Sequence, residues 1–268
     1  MEPITSRRNP LVGRLRALHQ ARGRRDQDRL LLEGTHLLQE VLRLGLSPAL
    51  LVATPAWMER HPELLQACKA IERIIPVAPS VLEAIATTEH PDGVVLTLPP
   101  PALPPGGPAE FLLVLDRLQD PGNLGTLLRT ALAAGIDQVW LQGGADPFQP
   151  KVLRASAGAS LALPCRRFDD PTQLHQALQD ARSAGLQLVA TVVPDLQAAD
   201  PAQPYWTLDW GQPTALMLGN EGAGLDPALQ QLASTRVTIP HDSSVESLNV
   251  AVAAAPLLLE RWRQQCSR

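Results

Sequence analysis

Apolar and polar positions along the chain follow two regimes, separated by a stretch that fits neither. Up to residue 98, short apolar runs alternate with segments whose apolar positions recur every three to four residues, the spacing of a helix with one buried face. This pattern predicts a basic helix over 10–22, an apolar strand at 30–32, a helix over 35–44 opened by a Thr35 cap, and strands at 49–53, 74–77 and 94–98. These elements make a small α/β domain. From residue 110 the strands become almost wholly apolar, at 111–115, 138–141, 186–193, 215–218 and 236–239, with helical periods at 124–134, 149–157, 173–184, 227–233 and 245–265. Apolar strands that alternate with helices form a mostly parallel sheet covered on both faces. Pro256 falls inside the last helix and is expected to kink it.

Residues 99–109 are dominated by proline and glycine, which supply neither the amide donors nor the restricted backbone of a regular element. Such a segment is a semi-rigid linker. The expected organisation is therefore an N-terminal domain over 1–98, a linker over 99–109 and a C-terminal domain over 110–268.

Charge adds a direction to this picture. The formal net charge is −4, yet residues 1–30 carry eight arginines against Glu2, Asp26 and Asp28, a local +5 that leaves −9 for the remainder. Lysine occurs only at Lys69 and Lys151, so almost every cation is a guanidinium, the planar fork that grips phosphate through two hydrogen bonds. A basic front end on an acidic body implies a polyanionic partner or, more plainly, a solvated helix face. No apolar run is long enough to span a bilayer and none of the first twenty residues forms an apolar leader core, so a cytoplasmic location is expected. Cys68, Cys165 and Cys266 are too dispersed for a disulfide framework, and the six histidines lack metal-ligand spacing, so no metal is expected.

Candidate chemistry concentrates in three polar loops, each at a strand-to-helix junction, the edge of an open α/β sheet where ligands bind. The first runs from Asp116 through Asn123 to Arg129, the second from Gly219 to Leu225, and the third from Ile239 through His241, Ser247 and Asn249 to Val250. Taken singly, each residue has an ordinary reading: Asn123 as the cap of a helix beginning at Leu124, Arg129 as a surface arginine, Glu221 as a turn acid and Ser247 as a first-turn residue. Gly219, Gly222 and Gly224 follow a strand as in a dinucleotide loop, but their order is GxxGxG rather than GxGxxG. That reversal removes the mechanical basis of a nicotinamide site.

In order and spacing the three loops resemble the motifs of the SpoU (TrmH-like) branch of the SPOUT RNA methyltransferases, and the segment from Lys151 through Arg154 to Ala159 resembles one carried between the first two motifs. The N-terminal segments Ile4 to Pro10 and Leu31 to His36 resemble the RNA substrate-binding domain often fused before that catalytic unit. The resemblance implies a trefoil knot, a homodimer, and methyl transfer from S-adenosylmethionine to a ribose 2′-hydroxyl of structured RNA, with ribosomal RNA favoured slightly over transfer RNA. It further implies donor contacts at Gly219, Ile239 and Leu248. Arg129 would position the ribose and an adjacent phosphate, Asn123 would fix Arg129 and its loop, Glu221 would brace the site, and Ser247 and Asn249 would orient substrate and donor. Contacts to RNA would come from Arg7, Arg8, Arg14, Arg22, Arg24 and Arg25, with Lys151 and Arg154 either joining them or forming a surface pair. The third motif commonly has Met followed by glycines where His241, Asp242, Ser243 and Ser244 stand here, a departure on the substrate side. A knotted RNA-binding protein without catalysis is the alternative reading. Aromatic residues make up only 3% of the chain, too few for a base-stacking platform, so binding should rest on phosphate and RNA shape.

Overall fold

The computed structural model describes residues 2–68, 71, 73–102, 109–194 and 201–266. Residues 103–108, most of the expected linker, lie outside the described residues. In chain order the first elements are α1 (Pro10–Ala17), α2 (Ala21–Gln27), β1 (Leu30–Glu33), α3 (Thr35–Arg43), β2 (Leu50–Ala53), α4 (Pro55–Arg60), α5 (Pro62–Ala67), β3 (Ile74–Pro76), α6 (Pro79–Ile85) and β4 (Val94–Leu98). They continue with β5 (Phe111–Asp116), α7 (Pro121–Ala133), β6 (Gln138–Gln142), α8 (Pro150–Ala155), α9 (Ala159–Ala162), β7 (Cys165–Phe168), α10 (Pro171–Ser183) and β8 (Gln187–Thr191). The last are β9 (Gln203–Pro204), β10 (Thr214–Leu218), α11 (Pro227–Leu232), β11 (Thr235–Thr238) and α12 (Val250–Cys266).

Two compact units divide these elements, residues 1–101 with 146–162 and residues 102–145 with 163–268. The first has a four-stranded sheet in the order β1-β4-β2-β3, in which β4 runs antiparallel to both neighbours and β2 and β3 run parallel. Its basic helix differs from expectation: the single period over 10–22 is two helices. Asn9 caps α1, its side-chain oxygen accepting from Leu11 N at 2.9 Å, and Leu11, Val12 and Leu15 turn inward while Arg14 and Arg16 stay exposed. The chain then folds back so closely that a side chain at Gly23 would overlap the Ala17 carbonyl. Arg24 completes the turn by donating to Leu18 O at 2.9 Å and His19 O at 3.0 Å, carbonyls that the end of a helix leaves without intrahelical partners.

The segment 146–162, expected within the second domain, packs with the first unit. Leu153 and Leu161 are buried in one apolar cluster with Leu32, Leu38 and Leu51. Arg154 donates to Glu33 at 3.3 Å and to the Thr87 hydroxyl at 2.5 Å, and the Glu33 carboxylate also accepts from the amides and hydroxyls of Thr87 and Thr88. Burial alone would raise the Glu33 carboxyl, but those donors together with Arg154 hold it below the usual carboxylate value.

Among the described residues the second unit has seven strands in the order β7-β6-β5-β10-β8-β11-β9, every pair parallel. Full burial of β5 and β10 explains why they read as unbroken apolar runs. Leu112, Val114, Ala215 and Met217 face one cluster with Leu174, Leu178 and Leu229 of α10 and α11. Side chains of alternate parity point to the other face, where α7 and α12 pack against each other through buried positions that include Leu124, Leu128, Ala254 and Leu257. The strand following β5 in sequence lies on one side of it and β10 on the other, which makes the β5/β10 boundary a topological switch point. Pro256 lies inside α12 as expected.

Candidate active site

The loops after β5, β10 and β11 meet at the carboxyl edge of the parallel sheet, joined by side chains. At the start of α7, Asp120 rather than Asn123 is the cap: its carboxylate accepts from Asn123 N at 2.8 Å, and Pro121 occupies the first helical turn where a missing amide costs nothing. The Asn123 side chain is thereby released for another task. It donates to Glu221 Oε1 at 3.3 Å and accepts from Asn249 Nδ2 at 3.0 Å, so one amide links all three loops. Asn249 also caps α12 by accepting from Ala251 N at 2.9 Å and Val252 N at 3.2 Å, so the helix begins at Val250 rather than at the expected 245.

Glu221 holds the first loop by accepting from Gln119 N and Asp120 N, each at 3.2 Å. Burial pulls its carboxyl upward, but these amides, its own backbone N–H and the Asn123 side chain outweigh that and hold it below the ordinary value. Because the folded carboxyl titrates below its unfolded counterpart, ionised Glu221 stabilises the fold above the ordinary carboxylate value. That contribution is lost as pH drops through the lowered folded value. Glu221→Gln is therefore expected to show a smaller fall in thermal midpoint than the wild type on acidification from about pH 6 to about pH 3. Parallel acid profiles of the two proteins would refute this bracing role.

The second loop is a tight turn. Asn220 and Gly224 exchange two backbone hydrogen bonds at 3.0 Å, and Asn220 Oδ1 accepts from Gly222 N at 2.9 Å and Ala223 N at 3.0 Å. Asn220 Nδ2 donates to Arg117 O at 2.8 Å, which ties this turn to the first loop. Beneath them the fully buried Asp116 carboxylate accepts from Arg117 Nε at 2.8 Å and Asp226 N at 2.9 Å, with Arg117 held at φ 54°.

A cavity of about 450 Å³ opens beside this junction, at the carboxyl ends of β8, β10 and β11. Gly219, Ile239, Ser247 and Leu248 line it together with Glu221 and His241, so all three expected donor contacts face one space. A side chain at Gly219 would overlap the backbone of Gly224 and Leu225, which is why glycine stands there. Thr191 and Thr238 also line the cavity, and among the described residues their hydroxyls are the buried side-chain polar atoms with no hydrogen-bond partner. Such atoms require an explanation, and a bound polar molecule supplies one. The volume lies within the range of about 300–1,000 Å³ typical of small-molecule sites.

Asn123, Asn249 and Arg129 do not line the cavity. The first two brace its rim, whereas Arg129 is exposed on α7, six residues beyond Asn123, with no partner among the described residues. Of the expected RNA contacts, Arg8, Arg14, Arg22, Arg25 and Lys151 are exposed, and Arg7 is exposed while pairing with Glu83 at 3.3 Å. Arg24 is a correction. Its side chain is 7% exposed and binds Asp146 at 2.5 Å in addition to the α1 carbonyls, so its guanidinium closes a turn and is not available to phosphate. Arg154 is a second correction, committed to Glu33 and Thr87. The sequence reading missed Asn220, the Asp116–Arg117–Asp226 lock, Thr191 and Thr238. The local signals were that Asp116 and Arg117 open the first polar loop and that Asn220 lies inside the second.

No helix among the described residues is long and apolar enough to cross a membrane, and no group of three His, Cys, Asp or Glu among them could hold a metal ion. Residues 110–259 match the SpoU rRNA Methylase family, and residues 9–96 match the MRM3-like substrate binding domain. Over 98% of its length the chain is 44% identical to the "Uncharacterized tRNA/rRNA methyltransferase slr1673" of Synechocystis, covering 94% of that protein. It is 33% identical to the 23S rRNA (guanosine(2553)-2'-O)-methyltransferase RlmP of Bacillus subtilis, covering 96% of this chain and 98% of that one. Among solved structures, the SpoU methyltransferase AviRb of Streptomyces viridochromogenes in complex with the cofactor AdoMet matches with a TM-score of 0.81 at 29% identity, over 97% of this chain and 100% of that chain.

Proposed function

We propose, on the premise that this chain belongs to the SpoU rRNA methylase family, that it transfers a methyl group from S-adenosylmethionine to a ribose 2′-hydroxyl of ribosomal RNA. It is an S-adenosylmethionine-dependent RNA 2′-O-ribose methyltransferase. The observation that carries this reading is the side-chain chain Glu221–Asn123–Asn249, which binds the three loops into one rim beside the Gly219 cavity. When bound, the donor supplies an activated methyl group on a sulfonium whose positive charge disappears on transfer. Gly219, Ile239 and Leu248 would hold its nucleoside against backbone, and the bare hydroxyls of Thr191 and Thr238 would give it polar partners in the cavity wall.

The chain's own residues then have to place the ribose. Arg129 orients it through the neighbouring phosphate and stabilises charge that develops on the 2′-oxygen. Glu221, Asn123 and Asn249 keep the rim rigid, and Ser247 lies on the cavity wall where the ribose would approach. Residues 1–98 serve as the RNA-binding part, with Arg7, Arg8, Arg14, Arg22 and Arg25 contacting phosphate, joined by Lys151. The family's trefoil knot is inferred for residues 110–268, and the cytoplasm is the proposed compartment because a ribosomal RNA substrate is met there.

A homodimer through α7 and α12 is part of the same reading, supported by an apolar surface on those helices that is exposed among the described residues. Val252 is 64% exposed, Leu259 45%, Trp262 51% and, on α7, Leu132 37%. Introducing charge there with Val252→Glu and Leu259→Glu is expected to turn a dimer into a monomer by light scattering, whereas a monomeric wild type would contradict the assignment. Transfer of labelled methyl groups into total RNA, followed by alkaline hydrolysis, tests the activity. Label in alkali-resistant dinucleotides of ribosomal RNA is expected, and label released in mononucleotides would mean base methylation.

A further inference from the structure

We infer that His241 accepts the proton of the ribose 2′-hydroxyl during methyl transfer. This assignment rests on the methyltransferase reading and adds to it a group that the three shared motifs do not supply.

A ribose hydroxyl is a weak nucleophile, and its proton has to leave as the new bond forms. Among the described residues, the titratable side chains that line the cavity are Glu221, Arg236 and His241. Glu221 is committed, since Oε2 accepts from Gln119 N while Oε1 accepts from Asp120 N and Asn123 Nδ2. A guanidinium has no lone pair to offer, which removes Arg236 and equally the exposed Arg129. His241 remains.

Its geometry suits the task. The ring is half-buried, and Nδ1 lies 2.8 Å from Ile239 O. A carbonyl oxygen only accepts, so Nδ1 carries the hydrogen, and in the neutral ring the lone pair is on Nε2. The same bond fixes the ring's direction, because its acceptor belongs to Ile239, the residue expected to touch the donor. Among the described residues, the charged groups around it are Glu221 from the loop after β10, Arg236 from β11 and, in its own loop, Asp242, whose carboxylate accepts from Ser244 N at 2.9 Å. None of these takes the His241 hydrogen bond or occupies Nε2.

In the step itself, the 2′-oxygen forms a bond to the methyl carbon while the carbon–sulfur bond breaks and its electron pair stays on sulfur. The hydroxyl proton passes to His241 Nε2. The products are the 2′-O-methyl ribose, the neutral thioether and an imidazolium, which returns its proton to solvent.

His241→Asn separates proton acceptance from loop architecture, because the Asn amide still donates to Ile239 O but has no basic nitrogen. At saturating donor and RNA, its single-turnover rate is expected to fall by about 10²-fold or more. Calorimetry should show affinity for S-adenosylhomocysteine within about threefold of wild type. Independently of turnover, nitrogen-15 correlation spectra of the full chain should show one neutral imidazole, missing from His241→Asn, that is protonated at Nδ1 and bare at Nε2. A variant rate within about threefold of wild type, parallel loss of S-adenosylhomocysteine binding, or the opposite tautomer would overturn the assignment. Failure of the methyltransferase reading looks different, since the wild type itself would transfer no methyl group.

Discussion

Arg129→Ala is expected to lower methyl transfer by at least about 10²-fold while changing donor affinity by less than about threefold. The split follows from where the structure puts this side chain. Arg129 is exposed on α7 and is absent from the cavity wall, so truncating it removes nothing from the donor's surroundings. Its helix begins with the Asp120 cap and the Asn123 link to Glu221 and Asn249, so in the proposed role Arg129 acts from a fixed element outside the cavity. Five N–H donors on a planar cation match a ribose and its phosphate, and a positioned donor toward a developing oxyanion accounts for about 3–4 kcal/mol of a barrier. Calorimetry with S-adenosylhomocysteine and single-turnover transfer on the same preparation check both halves. Normal methylation by the variant would remove Arg129 from the reaction, and loss of donor binding would move it into the cavity.

Gly219→Ala should have the opposite signature. A methyl group there would overlap the Gly224 carbonyl and the Leu225 amide, both backbone, so the turn has to shift. Overpacking of this kind costs about 1–3 kcal/mol, and where the strained turn is also the cavity wall, roughly ten- to hundredfold of donor affinity is lost. The matched control is Gly222→Ala, whose methyl would meet only Asn220 Oδ1 at 3.7 Å, an ordinary contact. The control should bind donor nearly as the wild type does. Equal affinity in Gly219→Ala and the wild type would show that the cavity does not hold the nucleoside.

The alternation of strands and helices in residues 110–268 was legible because the strands of a parallel sheet are covered on both faces and carry continuous apolar runs. The same reasoning explains what was missed. The edge strand β7 is Cys-Arg-Arg-Phe, with both arginines exposed, and β9 is two residues long and contains a proline, so neither shows an apolar run. The basic helix broke in two because Gly23 permits a close backbone approach, a tertiary event that periodicity does not record.

The site divides in the same way. Polar loops at strand ends pointed to Asn123, Glu221 and Asn249, but capping, the ordinary duty of an Asn before a helix, is taken by Asp120 at the first helix and by Asn249 at the last. Only the fold reveals that Asn123 is left free to join the loops. Arg24 and Arg154 looked like phosphate ligands because charge is visible in a sequence, whereas their partners Asp146 and Glu33 are more than 100 residues away. Thr191 and Thr238 gave no signal, since a threonine at the end of a strand is unremarkable until its hydroxyl is found buried with no partner.

Titration calorimetry of the full chain with S-adenosylmethionine and S-adenosylhomocysteine tests the central claim most directly, that the three loops form one donor cavity. One site per chain for each ligand is expected, much weakened by Gly219→Ala and preserved in Arg129→Ala. No heat with either ligand, or equal binding in all three proteins, would contradict it.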